Sequence, residues 1–136
     1  MNKLILLTLF LLPLLTFSQT QLGSDIDGEV AFDYSGYSVS IDTDGSHVAI
    51  GAWGDDGNGS GSGHVRIYEY SSGSWSQVGN DIDGEASDDR SGWSVSIDSD
   101  GSHVAIGATG NDANGSSSGH VRIYSWDGSA WAQVGN

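Results

Sequence analysis

The stretch Tyr37-Ser38-Val39-Ser40-Ile41-Asp42-Thr43-Asp44-Gly45-Ser46-His47-Val48-Ala49-Ile50-Gly51-Ala52 decides the fold. Residues 37–41 alternate large and small side chains with the period of two that a half-buried strand requires. Asp42-Thr43-Asp44-Gly45 then supplies turn chemistry, with glycine where the chain needs positive φ, and residues 47–52 return as a second strand. The same hairpin recurs at residues 93–108, from Trp93 to Ala108.

Working outward, residues 21–76 superpose without a gap on residues 77–132, a period of 56 with 37 identical positions. After the hairpin, a Gly, Asn and Ser-rich loop (54–63) leads to a third strand, His64-Val65-Arg66-Ile67-Tyr68-Glu69-Tyr70. Ser71-Ser72-Gly73-Ser74 then turns into a fourth, Trp75-Ser76-Gln77-Val78. The second copy places strands at 93–97, 103–108, 120–126 and 131–134, and no helical period follows residue 18. Units of roughly 40–50 residues that each hold several short strands mark propeller blades, and this unit is slightly longer. The sequence therefore predicts an all-β fold of tandem four-stranded antiparallel blades, one over residues 21–76 and one over 77–132. Residues 133–136 repeat Gln77-Val78-Gly79-Asn80 and open a third copy. Propellers close with about four to eight blades, so the expected object is an incomplete propeller. Its further blades come from the same longer chain or from self-assembly.

Composition narrows the function. Residues 1–18 read as an export signal: Lys3, an apolar run over 4–15, and small residues Thr16 and Ser18 before the cleavage point. The expectation is a secreted or cell-surface protein, with no membrane span once the signal is removed. Eighteen carboxylates face four basic residues, a formal charge of −14. That field repels phosphate backbones, which excludes a nucleic-acid partner, and attracts cations. Cysteine is absent, removing disulfides, thiolate metal sites and cysteine nucleophiles. Only 19 of the 118 residues after the signal are Leu, Ile, Val or Phe, a level that favours disorder unless the pattern opposes it. Here it does, because the aliphatics alternate and every Trp and Tyr of the chain follows residue 18.

These residues resemble the FG-GAP family, the blade repeat of integrin α-chain propellers and of secreted bacterial proteins. The resemblance is carried by Ser35-Gly36-Tyr37-Ser38-Val39, Val48-Ala49-Ile50-Gly51-Ala52 and Gly63-His64-Val65-Arg66-Ile67-Tyr68, and by their copies at 91–95, 104–108 and 119–124. Ser35 and Ser91 replace the phenylalanine of the first family motif, and Trp53 and Thr109 replace the proline of the second. The resemblance implies a β-propeller used for recognition or adhesion rather than catalysis; the chain is expected to serve as an extracellular recognition, adhesion or scaffold module whose ligand is an extracellular protein or glycan. It also implies calcium in the hairpin loop, where Asp42, Asp44 and Gly45, and Asp98, Asp100 and Gly101, match the middle of the family's loop. The loop is shorter than the family's, and His47 and His103 fall near its last carboxylate position. Read from the residues alone, the same Asp and Gly side chains are turn formers.

Three other groups of residues invite chemistry. Asp25, Asp27 and Glu29, repeated as Asp81, Asp83 and Glu85, lie on one side of an extended segment, as a solvated edge or a shared cation ligand. Asp33 and Asp89 follow them. Trp53, Trp75, Trp93, Trp126 and Trp131, with Tyr34 and Tyr70, either fill the joints between blades or stack on sugars in a lectin-like module. His47 and His103 share one repeat position and His64 and His120 another, which sets each pair on different blades and gives no support to a catalytic triad. The glycine-rich loop at 57–63 precedes no helix that could hold a phosphate. Asn58 and Asn114 are formal glycosylation acceptors.

Overall fold

The computed structural model describes residues 19–135; the expected export signal and Asn136 lie outside the described residues. The described chain is all β. Each repeat forms an antiparallel meander, β1 (Ser38–Ile41), β2 (His47–Ala52), β3 (His64–Ser71) and β4 (Ser74–Gln77) in the first, β6 (Ser91–Ile97), β7 (His103–Ala108), β8 (His120–Trp126) and β9 (Trp131–Gln133) in the second. Registers repeat with the sequence: Val39 faces Ile50 and Ile50 faces Arg66, as Val95 faces Ile106 and Ile106 faces Arg122. No helix among the described residues is long and apolar enough to cross a membrane.

Two differences from the strand pattern read in the sequence come from the joint between repeats. First, a two-residue strand, β5 (Ile82–Asp83), pairs with the start of β3, setting Asp83 opposite His64 and Ile82 opposite Val65. The chain entering the second repeat thus hydrogen-bonds to the first. Second, β6 begins at Ser91, whereas the equivalent residue of the first repeat, Ser35, precedes β1. Ser91 and Gly92 are held by the sheet before them: Ser91 N–H donates to Ser62 O (2.8 Å), and Gly92 O accepts from the Ser38 hydroxyl (2.7 Å). Ile97 N–H donates to the Ser40 hydroxyl (3.1 Å) along the same seam. The register of β6 on β7 shifts between Ser91 and Ser94, where positive φ at Gly92 kinks the strand.

The two sheets stack face on face, with β6 lying across β1, β2 and β3. Alternation decides what enters the shared core. Val65 and Ile67 of β3, with Ala49 of β2, are fully buried against Ile97, Val104 and Ile106, and Ile82 of β5 closes one side. The close approach demands glycine: a Cβ on Gly51 would collide with Gly92 O, and one on Gly63 with the Ser91 backbone.

Candidate functional site

The joint buries one imidazole among carboxylates drawn from both repeats. His64 opens β3 at 1% exposure, with Asp55 (8%) from the loop before it and Asp81 and Asp83 from the segment around β5. His64 Nδ1 lies 3.4 Å from Asp55 Oδ1 and 3.8 Å from Asp81 Oδ2. Both separations exceed the roughly 2.7–3.2 Å of an N–H···O bond, and Nε2 is buried without a partner. Two triads share this ring, Glu29–Asp55–His64 and His64–Asp81–Asp83, each with its ligand atoms within 4.8 Å of one another. These side chains could hold a metal ion. Partial burial, followed by the like charges of Asp81 and Asp55, pushes the Asp83 carboxyl above its ordinary range, against an opposing pull from His64.

The basic residues beside the cluster are structural. Arg66, buried on β3, donates from Nη2 to Asp27 O (2.9 Å) and sets Nη1 3.5 Å from Glu29 Oε1; Arg122 repeats this with Asp83 O (2.7 Å) and Glu85 Oε1 (3.8 Å). Each arginine therefore ties the acidic segment of a repeat to the third strand of that repeat. The segment expected as a solvated edge or a shared cation ligand is thus divided: Glu29 and Glu85 face arginine, while Asp81 and Asp83 face His64. Asp33 and Asp89 are buried loop braces, accepting from Val30 N–H (2.8 Å) and Ala86 N–H (3.1 Å). The Asn58 amide donates to Gly84 O (2.8 Å) and Glu85 O (3.2 Å), a further tie across the joint.

In the hairpins, the four aspartates read as calcium candidates take up turn contacts. His47 Nδ1 lies 2.8 Å from Asp42 Oδ2, and since an ionised carboxylate only accepts, the ring carries its proton on Nδ1. Ser46 Oγ donates to the same oxygen (3.1 Å), and Ser46 N–H to Asp44 Oδ1 (2.9 Å). Asp98, Ser102, His103 and Asp100 repeat the pattern at 2.8, 3.2 and 3.1 Å. Burial alone would raise both carboxyls, but contacts from the histidine backbone and ring and from the serine hydroxyl outweigh it. Asp42 falls below the ordinary range and Asp98 to about 2.

The aromatic residues divide between joint and outer strands. Tyr34 stacks on Trp53 (4.8 Å between centroids, 4° between planes), and Tyr37, Trp53 and Trp93 cluster where the two sheets meet. Trp75 and Trp131 donate from Nε1 to Leu22 O and Val78 O, each at 2.9 Å, and so clamp the segment that enters each repeat. Beside each clamp lies a groove of about 340 Å³, one lined by Asp25, Asp27, Tyr68 and Trp75, the other by Asp81, Asp83, Tyr124 and Trp131.

Of the sequence-derived candidates, the fold brings Asp81 and Asp83 together with His64 and keeps the hairpin aspartates apart from them. Asp55 was not singled out by sequence reasoning, and its role in repeat one is not shared: Asn111 stands at the equivalent position of repeat two.

Two stacked four-stranded antiparallel meanders, joined by a segment that pairs with the preceding sheet, define a propeller-blade repeat protein. The FG-GAP repeat family matches residues 25–68 and 81–124, more than half of the chain, and the chain belongs to that family. No curated protein matches it.

Proposed function

We propose that this chain is a non-catalytic extracellular recognition and scaffold module, a portion of an integrin-like propeller that works by stacking further blades on its open faces. FG-GAP repeats suggest such a module and are typically non-catalytic. The observation that carries the reading is the asymmetry of the two repeats. Val65 and Ile67 are fully buried by the second sheet, while their counterparts Val121 and Ile123 are 67% and 46% exposed. On the opposite faces, Ile97 is buried while its counterpart Ile41 is 58% exposed. Each free face thus presents what the joint shows being covered, and contiguous apolar surface of this kind marks an interaction site. The contact is head-to-tail, so it propagates rather than closing a two-fold dimer. The further blades come from a longer chain or from other copies, and the partner is an extracellular protein or glycan.

Sedimentation velocity over a range of concentrations tests this. The parent chain is expected to associate, whereas Val121→Asp and Ile41→Asp variants each stay monomeric, because every head-to-tail contact needs both faces, and an equimolar mixture of the two variants stops at dimers. A parent that is folded and monomeric at every concentration would sink the stacking role.

The twin grooves favour a second reading, a carbohydrate-binding module. An indole, a tyrosine and two carboxylates around one groove suit a sugar ring and its hydroxyls. Glycan that quenches tryptophan fluorescence in the parent and not in a Trp75→Phe, Trp131→Phe double variant would support it; silence across a glycan panel would leave the scaffold reading alone.

A further inference from the structure

We propose that His64, Asp81 and Asp83 form a zinc site that staples one repeat to the next, with Asp55 beside it as the adjoining carboxylate.

A side chain at 1% exposure with neither ring nitrogen in a hydrogen bond is costly to keep, and native proteins seldom leave one so. Its Nδ1 points at two carboxylates at 3.4 and 3.8 Å, too far to bond to either. Around a tetrahedral ion with bonds of about 2.0–2.2 Å, neighbouring ligand atoms stand about 3.3–3.6 Å apart; the His64, Asp81 and Asp83 ligand atoms all lie within 4.8 Å of one another, so small side-chain adjustments would bring them onto one ion. The acids alone do not make a site, since exposed carboxylates gather without an ion in many proteins; the independent observation is the buried His64 imidazole, whose Nδ1 lies among them without a hydrogen bond and whose Nε2 has no partner.

Ligand chemistry selects the metal. Calcium and magnesium take oxygen ligands and leave imidazole aside, whereas one imidazole nitrogen with carboxylates suits zinc. Space is also available: an added Cβ on Gly57 would sit 2.9 Å from Asp55 Oδ1 and 3.5 Å from Asp83 Oδ1, so the glycine leaves the gap between these carboxylates open.

The ligands come from different repeats. His64 belongs to the third strand of the first, Asp81 and Asp83 to the segment entering the second, which β5 already pins to that strand. An ion there would lock the joint. In the second repeat His120 Nδ1 lies 3.8 Å from Glu85 Oε2, its Nε2 is likewise buried without a partner, and Asn111 stands where the first repeat has Asp55.

The test uses the full chain, stripped of metal and kept dilute, titrated with zinc chloride and, separately, calcium and magnesium chloride. Melting temperature and isothermal calorimetry are the readouts, with the visible spectrum of added cobalt as a reporter of ligand number. Zinc at a hundredfold excess over its Kd is expected to raise the melting temperature by more than about 5 °C, with no comparable rise from magnesium. His64→Gln is expected to abolish the rise, and Asp83→Asn to weaken zinc binding at least tenfold. Asp83 is exposed, so its variant keeps the test decisive should His64→Gln fail to fold. His47→Gln, in the first hairpin, should bind as the parent does. A melting temperature indifferent to zinc overturns the proposal. So does zinc binding that survives Asp83→Asn, or that disappears in His47→Gln.

Discussion

At the scale of single residues, the two hairpin turns show how one carboxylate serves geometry and stability together. Asp98 accepts from the His103 ring and backbone and from the Ser102 hydroxyl, which brings its carboxyl to about 2; Asp42, which accepts from the His47 ring and the Ser46 hydroxyl, is lowered as well. A carboxyl depressed in the folded state stabilises at pH values above its unfolded value of 3.8, and that contribution is lost as pH falls toward about 2. Melting temperature followed from pH 6 to pH 2 should therefore fall across this window, and an Asp42→Asn, Asp98→Asn double variant should show a shallower fall. Asp83 acts in the opposite sense, because a raised carboxyl is relieved by protonation. Turn-forming aspartate was legible in the sequence, since Asp-x-Asp-Gly specifies a turn locally. The His64 site was not. Its imidazole and Asp55 sit in one repeat and its other carboxylates in the next, and no local pattern carries a juxtaposition made by stacking.

At the scale of elements, identical sequence gives different structure where only one copy has a neighbour. Ser35-Gly36 and Ser91-Gly92 are the same dipeptide, yet only the second enters a strand, because Ser38 of β1 and Ser62 of the loop before β3 bind it. The alternation of the hairpin strands fixed their direction and pairing, and the middle strands of both repeats, β2 and β7, match their expected bounds. β5 was hidden because its partner lies in the other repeat, and a two-residue strand leaves no period to read. Glycine at the shared position offers a controlled comparison. Gly36 and Gly92 both have positive φ, +85° and +82°, but a Cβ on Gly36 meets open space while one on Gly92 collides with His64 O and comes within 3.0 Å of Gly51 Cα. Gly36→Ala should cost about 1 kcal/mol for its backbone conformation alone. Gly92→Ala should cost about 2–4 kcal/mol, because the joint must also open. Urea unfolding of the two variants measures the difference, and equal costs would mean that the sheets do not approach as closely as described.

At the scale of the whole molecule, a repeat architecture draws its stability from each unit and from the interfaces between units, so a residue's worth depends on whether its face is covered. Ile67 and Ile123 share a repeat position and differ only in that cover: the first is fully buried in the joint, the second 46% exposed on the free face. Ile67→Ala should destabilise the dilute chain by about 3 kcal/mol, the range for a truncated core isoleucine. Ile123→Ala in the same dilute sample should cost less than about 1 kcal/mol, since little buried surface is lost. The high negative charge holds free faces apart, and salt screens that repulsion. Raising both ionic strength and protein concentration should therefore drive stacking and bring the cost of Ile123→Ala up toward that of Ile67→Ala. Thermal melts of both variants at two concentrations and two salt levels provide the check. If the cost of Ile123→Ala stays small while sedimentation shows the chains associating, the copies meet through some other surface, and the free face of the second repeat does not take a blade in the way the observed joint does.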